Sequence, residues 1–186
     1  MALLKKSNIP NVLSVFRICL VPVFVYLFSI REKHLLSMAV FLLAGATDVI
    51  DGYLARHNNW ITNIGKVLDP LADKCMQIAA LVCLGLSKLV PWWIVLVLSA
   101  KEAILLVGAT NVLKKKKVYV QSSWYGKAGT VAFYIVVVLL VTVENMPGFV
   151  RLLLGIFLIG FMLFALIMYI INYRKNILTK YTVKNS

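Results

Sequence analysis

Six long apolar segments, separated by short polar connections, make up most of this 186-residue chain. Each segment is long enough to cross a bilayer as a helix, and none has the period-two alternation of a barrel strand. Irregular backbone cannot face lipid with its polar groups unsatisfied, which also favours helices. The pattern therefore predicts an all-α integral membrane protein, one domain over residues 1–186, with six transmembrane helices at about 11–30, 34–55, 64–86, 90–113, 127–143 and 150–173.

The amino end has some features of a secretory signal peptide, because Lys5 and Lys6 precede an apolar run. That run extends from Asn11 to Ile30, which is long enough to span a membrane, and it carries Arg17. It is followed by no small-residue cleavage pattern. We therefore expect an uncleaved first helix.

The composition agrees with a membrane location, since 61% of the residues are hydrophobic and the mean hydropathy is +0.88. The net charge of +13 comes from cations that flank the apolar segments. Such cations suit anionic lipid headgroups, and no basic face with interleaved aromatics suggests nucleic acid. Cys19, Cys75 and Cys83 have neither metal-binding nor redox spacing and are interpreted as small hydrophobic residues.

The distribution of Lys and Arg predicts the orientation of the helices. Six spans would place both termini on one side of the membrane, and sixteen of the twenty Lys and Arg residues would lie toward that side. Basic residues accumulate on the cytoplasmic side, so we expect both termini in the cytoplasm and a multi-pass protein of the cell membrane. The exceptions are Arg31, Lys33, Lys88 and Arg151.

Four of the seven acidic residues lie within 26 positions, in the stretch DVIDGYLARHNNWITNIGKVLDPLADK. Asp48 and Asp51 are three residues apart near the end of the second segment, and Asp69 and Asp73 are four apart in the third, so each pair shares a helical face. Two antiparallel neighbouring helices could direct all four at one cavity. Carboxylates buried together need a cation, and oxygen-only ligands select Mg²⁺ or Mn²⁺; two ions would use all four acids.

Small and basic residues accompany these acids. Gly52 and Gly65 leave room for a ligand to approach the backbone, and Arg56 lies about one turn beyond Asp51, where it could hold a phosphate. Paired metals with an arginine suit a displacement at a pyrophosphate. The alternative is a purely structural ion-pair cluster of the four acids with Arg56, Lys66 and Lys74.

The motif resembles that of a known family. Eight positions follow the pattern D-x2-D-G-x2-A-R-x8-G-x3-D-x3-D, and the sequence is thereby similar to the CDP-alcohol phosphatidyltransferases. The resemblance implies an enzyme of phospholipid biosynthesis that binds two divalent ions, takes CDP-diacylglycerol as donor and releases CMP as it transfers the phosphatidyl group to an alcohol. It also implies a possible homodimer. The matching residues are Asp48, Asp51, Gly52, Ala55, Arg56, Gly65, Asp69 and Asp73.

The resemblance further implies a role for each motif residue. All four aspartates would be metal ligands, and Asp73 would in addition be the general base for the attacking hydroxyl. The CDP moiety would be bound by Asp48, Gly52, Arg56, Gly65 and Asp69.

The acceptor alcohol is less clearly indicated. The opening NIPNVLSVFR and the segment GKVLDPLADK resemble both family members that use sn-glycerol 3-phosphate and those that make cardiolipin from phosphatidylglycerol. Lys101 and Lys127 match cations of the first group, but Ala109 stands in place of an arginine and Gly129 in place of a lysine. We expect glycerol 3-phosphate as acceptor, bound by Lys101 and Lys127, with phosphatidylglycerol as the alternative.

A small transporter is the rival class, because six helices with buried charges are also common there. Transporters are often built from inverted repeats or carry charges in both halves. Here the acids cluster at the end of two adjacent segments, which favours the enzyme.

Overall fold

The computed structural model describes residues 9–30, 33–58, 65–114, 124–143 and 145–182. Over these ranges the chain forms α-helices and no strand, which confirms the all-α prediction. In chain order they are α1 (Ile9–Ser29), α2 (His34–His57), α3 (Gly65–Leu86), α4 (Trp92–Lys114), α5 (Trp124–Thr142) and α6 (Gly148–Thr182).

The helix bounds follow the apolar segments closely except at the carboxyl end. α6 continues to Thr182, nine residues beyond the predicted end at 173. The prediction followed the apolar run, whereas the helix extends into the polar sequence RKNILTKYT. A helix needs no apolar face once it leaves the membrane, so hydropathy alone misplaced this boundary.

Three of the described helices are long and apolar enough to cross a membrane, over Asn11–Ser29, His34–Leu54 and Gly148–Met168. The apolar part of α5, Ala128–Thr142, is shorter. Many large apolar side chains point outward, among them Leu35, Val49 and Phe149, as expected where lipid is the solvent. The described residues thus form the all-helical structure of a membrane protein.

The packing of α1 is the feature that positions the site. α1 packs extensively against both α2 and α3, while α2 and α3 contact each other much less. α3 also packs against α4, and α5 packs against both α2 and α6. The sequence prediction paired α2 directly with α3, but the structure places α1 against both.

Aromatic rings tie α1, α2 and α5 together in the core. Phe41 of α2 lies with its ring centroid 5.6 Å from that of Phe24 and 6.3 Å from that of Phe133. Tyr134 stacks on Phe41 with centroids 4.5 Å apart and also covers Gly45, where an added Cβ would lie 2.7 Å from the tyrosine Cε1. A side chain at this crossing of α2 and α5 would therefore have to displace the tyrosine ring.

Candidate active site

Arg17 of α1 joins the two acids of α2. Its guanidinium is fully buried; Nη1 donates to Oδ1 of Asp48 at 2.6 Å and Nη2 donates to Oδ2 of Asp51. Asp51 is buried as well, whereas the side chain of Asp48 is 38% exposed. A buried arginine that bridges two carboxylates is a charge-assisted arrangement, so α1 supplies the positive charge that α2 requires.

The first acid of α3 also binds to α1. The Ser14 hydroxyl donates a hydrogen bond to Oδ1 of Asp69. Ser14 and Arg17 are three residues apart and therefore share one face of α1. This face contacts the acids of both α2 and α3 and completes the site.

The second acid of α3, Asp73, lies in a separate set of contacts. Gln77 Nε2 donates to its two carboxylate oxygens at 3.1 and 3.2 Å. The ammonium of Lys74 lies 3.2 Å from Asp73 Oδ2 and 2.8 Å from Oε2 of Glu102. Asp73 is thus connected through α3 to a buried glutamate of α4.

Lys101 completes these contacts. Its Nζ donates to Glu102 Oε1 at 2.5 Å and lies 3.6 Å from the Met162 sulfur of α6. The sequence assigned Lys101 to acceptor binding. In the structure its ammonium is paired with the glutamate, although an ammonium carries three donors and can bind a further group.

The four aspartates are close enough for their charges to interact. Asp48 interacts electrostatically with Asp69 and Asp73, and Asp51 with Asp48 and Asp69. The charges of the two acid pairs are thus within electrostatic range of each other, and α1 contacts both pairs through Arg17 and Ser14. Tyr134 of α5 interacts with the charges of Asp48 and Asp73 and so borders the same region.

The acids have the chemistry of a site for hard divalent ions, because they and Ser14 offer only oxygen donors. Within the described ranges, however, no three His, Cys, Asp or Glu side chains form a group that could hold a metal ion. Three of the carboxylates instead bind Arg17 or Ser14, and Asp73 binds Gln77. The oxygen ligands are therefore of the type that binds Mg²⁺ or Mn²⁺. In this structure, however, they accept hydrogen bonds from protein side chains.

The remaining predicted site residues are only partly described. Gly52 directly follows Asp51 in α2, and Gly65 is the buried first residue of α3. Arg56 lies in the last turn of α2 and Lys127 in the first turn of α5, but their side chains lie outside the described part of the structure.

Sequence reasoning missed Ser14, Arg17 and Gln77. An arginine in the middle of an apolar run was a usable signal, because such residues tend to face the interior of a bundle. Ser14, three positions earlier, strengthens that signal. Gln77 lies four residues after Asp73 on the same helical face, but a single buried glutamine is too common to mark a site.

Two relatives that are similar in sequence to this chain share one name with each other. The CDP-diacylglycerol--glycerol-3-phosphate 3-phosphatidyltransferase of Bacillus subtilis is 36% identical over 154 residues, which cover 75% of this chain and 79% of the relative. The protein of that name from Haemophilus influenzae is 36% identical over 134 residues, 68% of this chain and 71% of the relative.

Another relative has a different name. The cardiolipin synthase (CMP-forming) of Streptomyces coelicolor is 37% identical over 128 residues, 66% of this chain and 60% of the relative. The identities in these three alignments are almost equal, so they do not separate the two acceptors.

The family itself is shown by a match over nearly the whole chain. The sequence model of the CDP-alcohol phosphatidyltransferases matches residues 7–179, which include the acid motif and reach from α1 into α6. Members of this family use divalent metal ions. The chain therefore belongs to the CDP-alcohol phosphatidyltransferase family.

Proposed function

We propose that this protein transfers the phosphatidyl group of CDP-diacylglycerol to sn-glycerol 3-phosphate, giving phosphatidylglycerophosphate and CMP. The observation that carries the proposal is the contact of one face of α1 with acids of both motif pairs, through Arg17 to Asp48 and Asp51 and through Ser14 to Asp69. Membership of the family and the names of the Bacillus and Haemophilus relatives support it.

In the proposed reaction the acceptor hydroxyl attacks the lipid-linked phosphorus. A new P–O bond forms to the acceptor, the P–O bond to CMP breaks, and Asp73 takes the proton of the attacking hydroxyl as general base. Its orientation by Gln77 and Lys74 suits this role, since a base must be aimed at the proton that it accepts.

Two Mg²⁺ or Mn²⁺ ions, held by Asp48, Asp51, Asp69 and Asp73, would supply positive charge that neutralises the diphosphate and improves CMP as a leaving group. The CDP moiety is assigned to Asp48, Gly52, Arg56, Gly65 and Asp69. Arg17 is a second arginine beside the proposed CDP site, since it binds Asp48 and Asp51. Its buried Nε has no hydrogen-bond partner among the described residues.

The acceptor is assigned to Lys101 and Lys127. Lys101 binds Glu102 and lies within electrostatic range of Asp73. An acceptor bound by Lys101 would therefore lie near the proposed base. Phosphatidylglycerol is the second candidate, because Ala109 removes a cation that a phosphomonoester would use and a relative is named a cardiolipin synthase.

The arrangement in the membrane is part of the same proposal. All six helices would cross the cell membrane as a single domain over residues 1–186, with both termini and the active site on the cytoplasmic side. The excess of Lys and Arg toward the termini supports this orientation. A homodimer is also proposed, from the family resemblance alone.

The test is a metal-dependent assay of purified protein in detergent. CDP-diacylglycerol and Mg²⁺ or Mn²⁺ are supplied with glycerol 3-phosphate or phosphatidylglycerol in parallel, and both CMP and the lipid product are measured. We expect phosphatidylglycerophosphate and CMP in equal amounts, and neither after the metal is chelated. A lipid product formed with phosphatidylglycerol but not with glycerol 3-phosphate would overturn the choice of acceptor. Absence of CMP release with either alcohol would overturn the proposed enzymatic activity.

A further inference from the structure

Gln77 is a buried polar residue that the reaction does not itself require. Its side chain is 1% exposed, and its amide lies between Asp73 and Lys74 of its own helix. Buried amides are costly unless their donors and acceptor are hydrogen-bonded. Here Nε2 binds both oxygens of Asp73, and Oε1 accepts from Lys74 at 2.9 Å.

Lys74 determines which way this amide points. An ammonium can only donate, so the atom of Gln77 that faces Lys74 must be the oxygen. The Nε2 group is then directed at Asp73. A reversed amide would direct N–H groups at an ammonium and an oxygen at a carboxylate, and both contacts would be repulsive. The lysine therefore orients the glutamine, and the glutamine orients the aspartate.

Glu102 fixes Lys74 from the neighbouring helix. The Glu102 side chain is 2% exposed, and its carboxylate pairs with Lys74 through Oε2 and with Lys101 through Oε1. Lys101 also contacts Met162 of α6. Asp73 and Glu102 balance the charges of the two lysines, which offsets the cost of burying Glu102 and of partly burying the other three. The contacts lead from α4 through Lys74 and Gln77 to Asp73.

We propose that Gln77 is a positioning residue for Asp73, held in its active orientation by Lys74 and Glu102. The inference rests on the proposed function, in which Asp73 accepts the proton of the attacking hydroxyl. Through the same contacts the packing of α4 against α3 determines the direction of the base. Partners that orient a functional group are typically worth about 10- to 100-fold in activity or metal affinity.

Two substitutions separate donation to Asp73 from packing. Gln77→Met keeps the length of the side chain but has no donor, and Gln77→Glu keeps an acceptor for Lys74 but cannot donate to Asp73. We expect kcat for CMP release to fall about tenfold or more in both, with the KM for CDP-diacylglycerol almost unchanged. Ser37→Ala is the control, because this buried serine only donates to a carbonyl of its own helix.

A double-mutant cycle tests the contribution of Glu102. If Glu102 acts on Asp73 through Lys74 and Gln77, Glu102→Gln should lower kcat in the wild-type background and have little further effect in Gln77→Met. Size-exclusion profiles and thermal unfolding in detergent give the folded fraction, by which every rate is divided. A merely structural role would lower the folded fraction and leave the corrected kcat unchanged.

A binding measurement distinguishes failure of this inference from failure of the proposed function. Mn²⁺ binding to wild type and Gln77→Met is followed by electron paramagnetic resonance without substrate, and we expect an affinity about tenfold weaker in the variant. Wild-type protein that binds Mn²⁺ but releases no CMP would overturn the function alone. Unchanged corrected kcat in both Gln77 variants, together with unchanged Mn²⁺ affinity in Gln77→Met, would overturn the positioning role.

Discussion

Arg17 is the residue on which the charge balance of the site depends. It is fully buried and binds Asp48 and Asp51, one of which is itself buried. Removing one partner of a buried ion pair leaves an uncompensated charge, which costs about 3–5 kcal/mol. The guanidinium of α1 thus compensates the charges of two α2 carboxylates that would otherwise repel each other.

We predict that Arg17→Ala lowers the free energy of unfolding by about 3–5 kcal/mol and that divalent ions reverse much of the loss. Without the arginine, Mg²⁺ or Mn²⁺ would be the cation available to the two aspartates. The measurement is the midpoint of thermal unfolding in detergent, with and without each ion. The ion-dependent rise should be larger in Arg17→Ala than in wild type.

Arg151→Ala is the matched control, because it also removes a membrane-helix arginine but lies at the start of α6. Its midpoint should respond to the ions as wild type does. An equal ion response in Arg17→Ala and wild type would show that the guanidinium and the ions do not compete for the same carboxylates.

A second prediction concerns the acids of α3. Asp73→Asn should lower the rate of CMP release by about 100-fold or more, because loss of a general base alone typically costs that much. Asp69→Asn should also lower the rate, because it removes a proposed metal ligand. Substitution by asparagine preserves size and removes the charge. Glu144→Gln, an acid outside the motif, should retain the wild-type rate. Full turnover in either aspartate variant would contradict the proposed mechanism.

The aspartates could be found from the sequence because their signal is local. Each pair is separated by three or four residues, and helical geometry then places both carboxylates on one face. The partners from α1 could not be assigned in the same way. Ser14 and Arg17 meet the acids only after three helices have packed together, and spacing along the chain does not specify that packing.

At the scale of elements, the crossing of α2 and α5 depends on Gly45. The Tyr134 ring occupies the space that a side chain would need, and it also stacks on Phe41. Asp48 lies one turn beyond Gly45 on the same helix. A displacement of α5 at this crossing would therefore disturb the site as well as the core.

We predict that Gly45→Ala lowers the free energy of unfolding by about 1–3 kcal/mol, because the added methyl group overpacks against the ring. Thermal unfolding in detergent is the measurement. Tyr134→Leu should restore part of the loss when combined with it. Gly160→Ala is the matched control, because an added Cβ there meets nothing within 4 Å, and it should be neutral or slightly stabilising.

The helices themselves were largely predictable, since lipid-facing segments must be continuous and apolar. All six described helices overlap the expected segments. The end of α6 was not predictable in this way, because Thr182 lies in a polar stretch where hydropathy carries no signal. Contacts between helices, such as the packing of α1 on α3, also left no trace in the apolar pattern.

At the scale of the whole molecule, the proposed topology can be tested by cysteine labelling. Starting from a variant without Cys19, Cys75 and Cys83, a single cysteine is introduced at Ser87, which is exposed in the turn between α3 and α4, or at Ser186. We expect a membrane-impermeant maleimide to label Ser87→Cys in intact cells. Ser186→Cys should be labelled only after permeabilisation, because the terminus is proposed to be cytoplasmic.

Activity of each labelled variant shows that it has kept the native fold. Labelling of both sites in intact cells would contradict cytoplasmic termini. Labelling of neither before permeabilisation would place the turn after α3 on the cytoplasmic side and contradict the six-span arrangement.

The ion pair between α1 and α2 also bears on how the protein is made. Arg17 lies near the middle of α1, and a charged residue at the bilayer centre raises the cost of membrane insertion by about 3 kcal/mol. Its partners Asp48 and Asp51 emerge only with the second helix. We therefore expect α1 to enter the membrane more favourably together with α2, as a hairpin whose charges are paired, than alone.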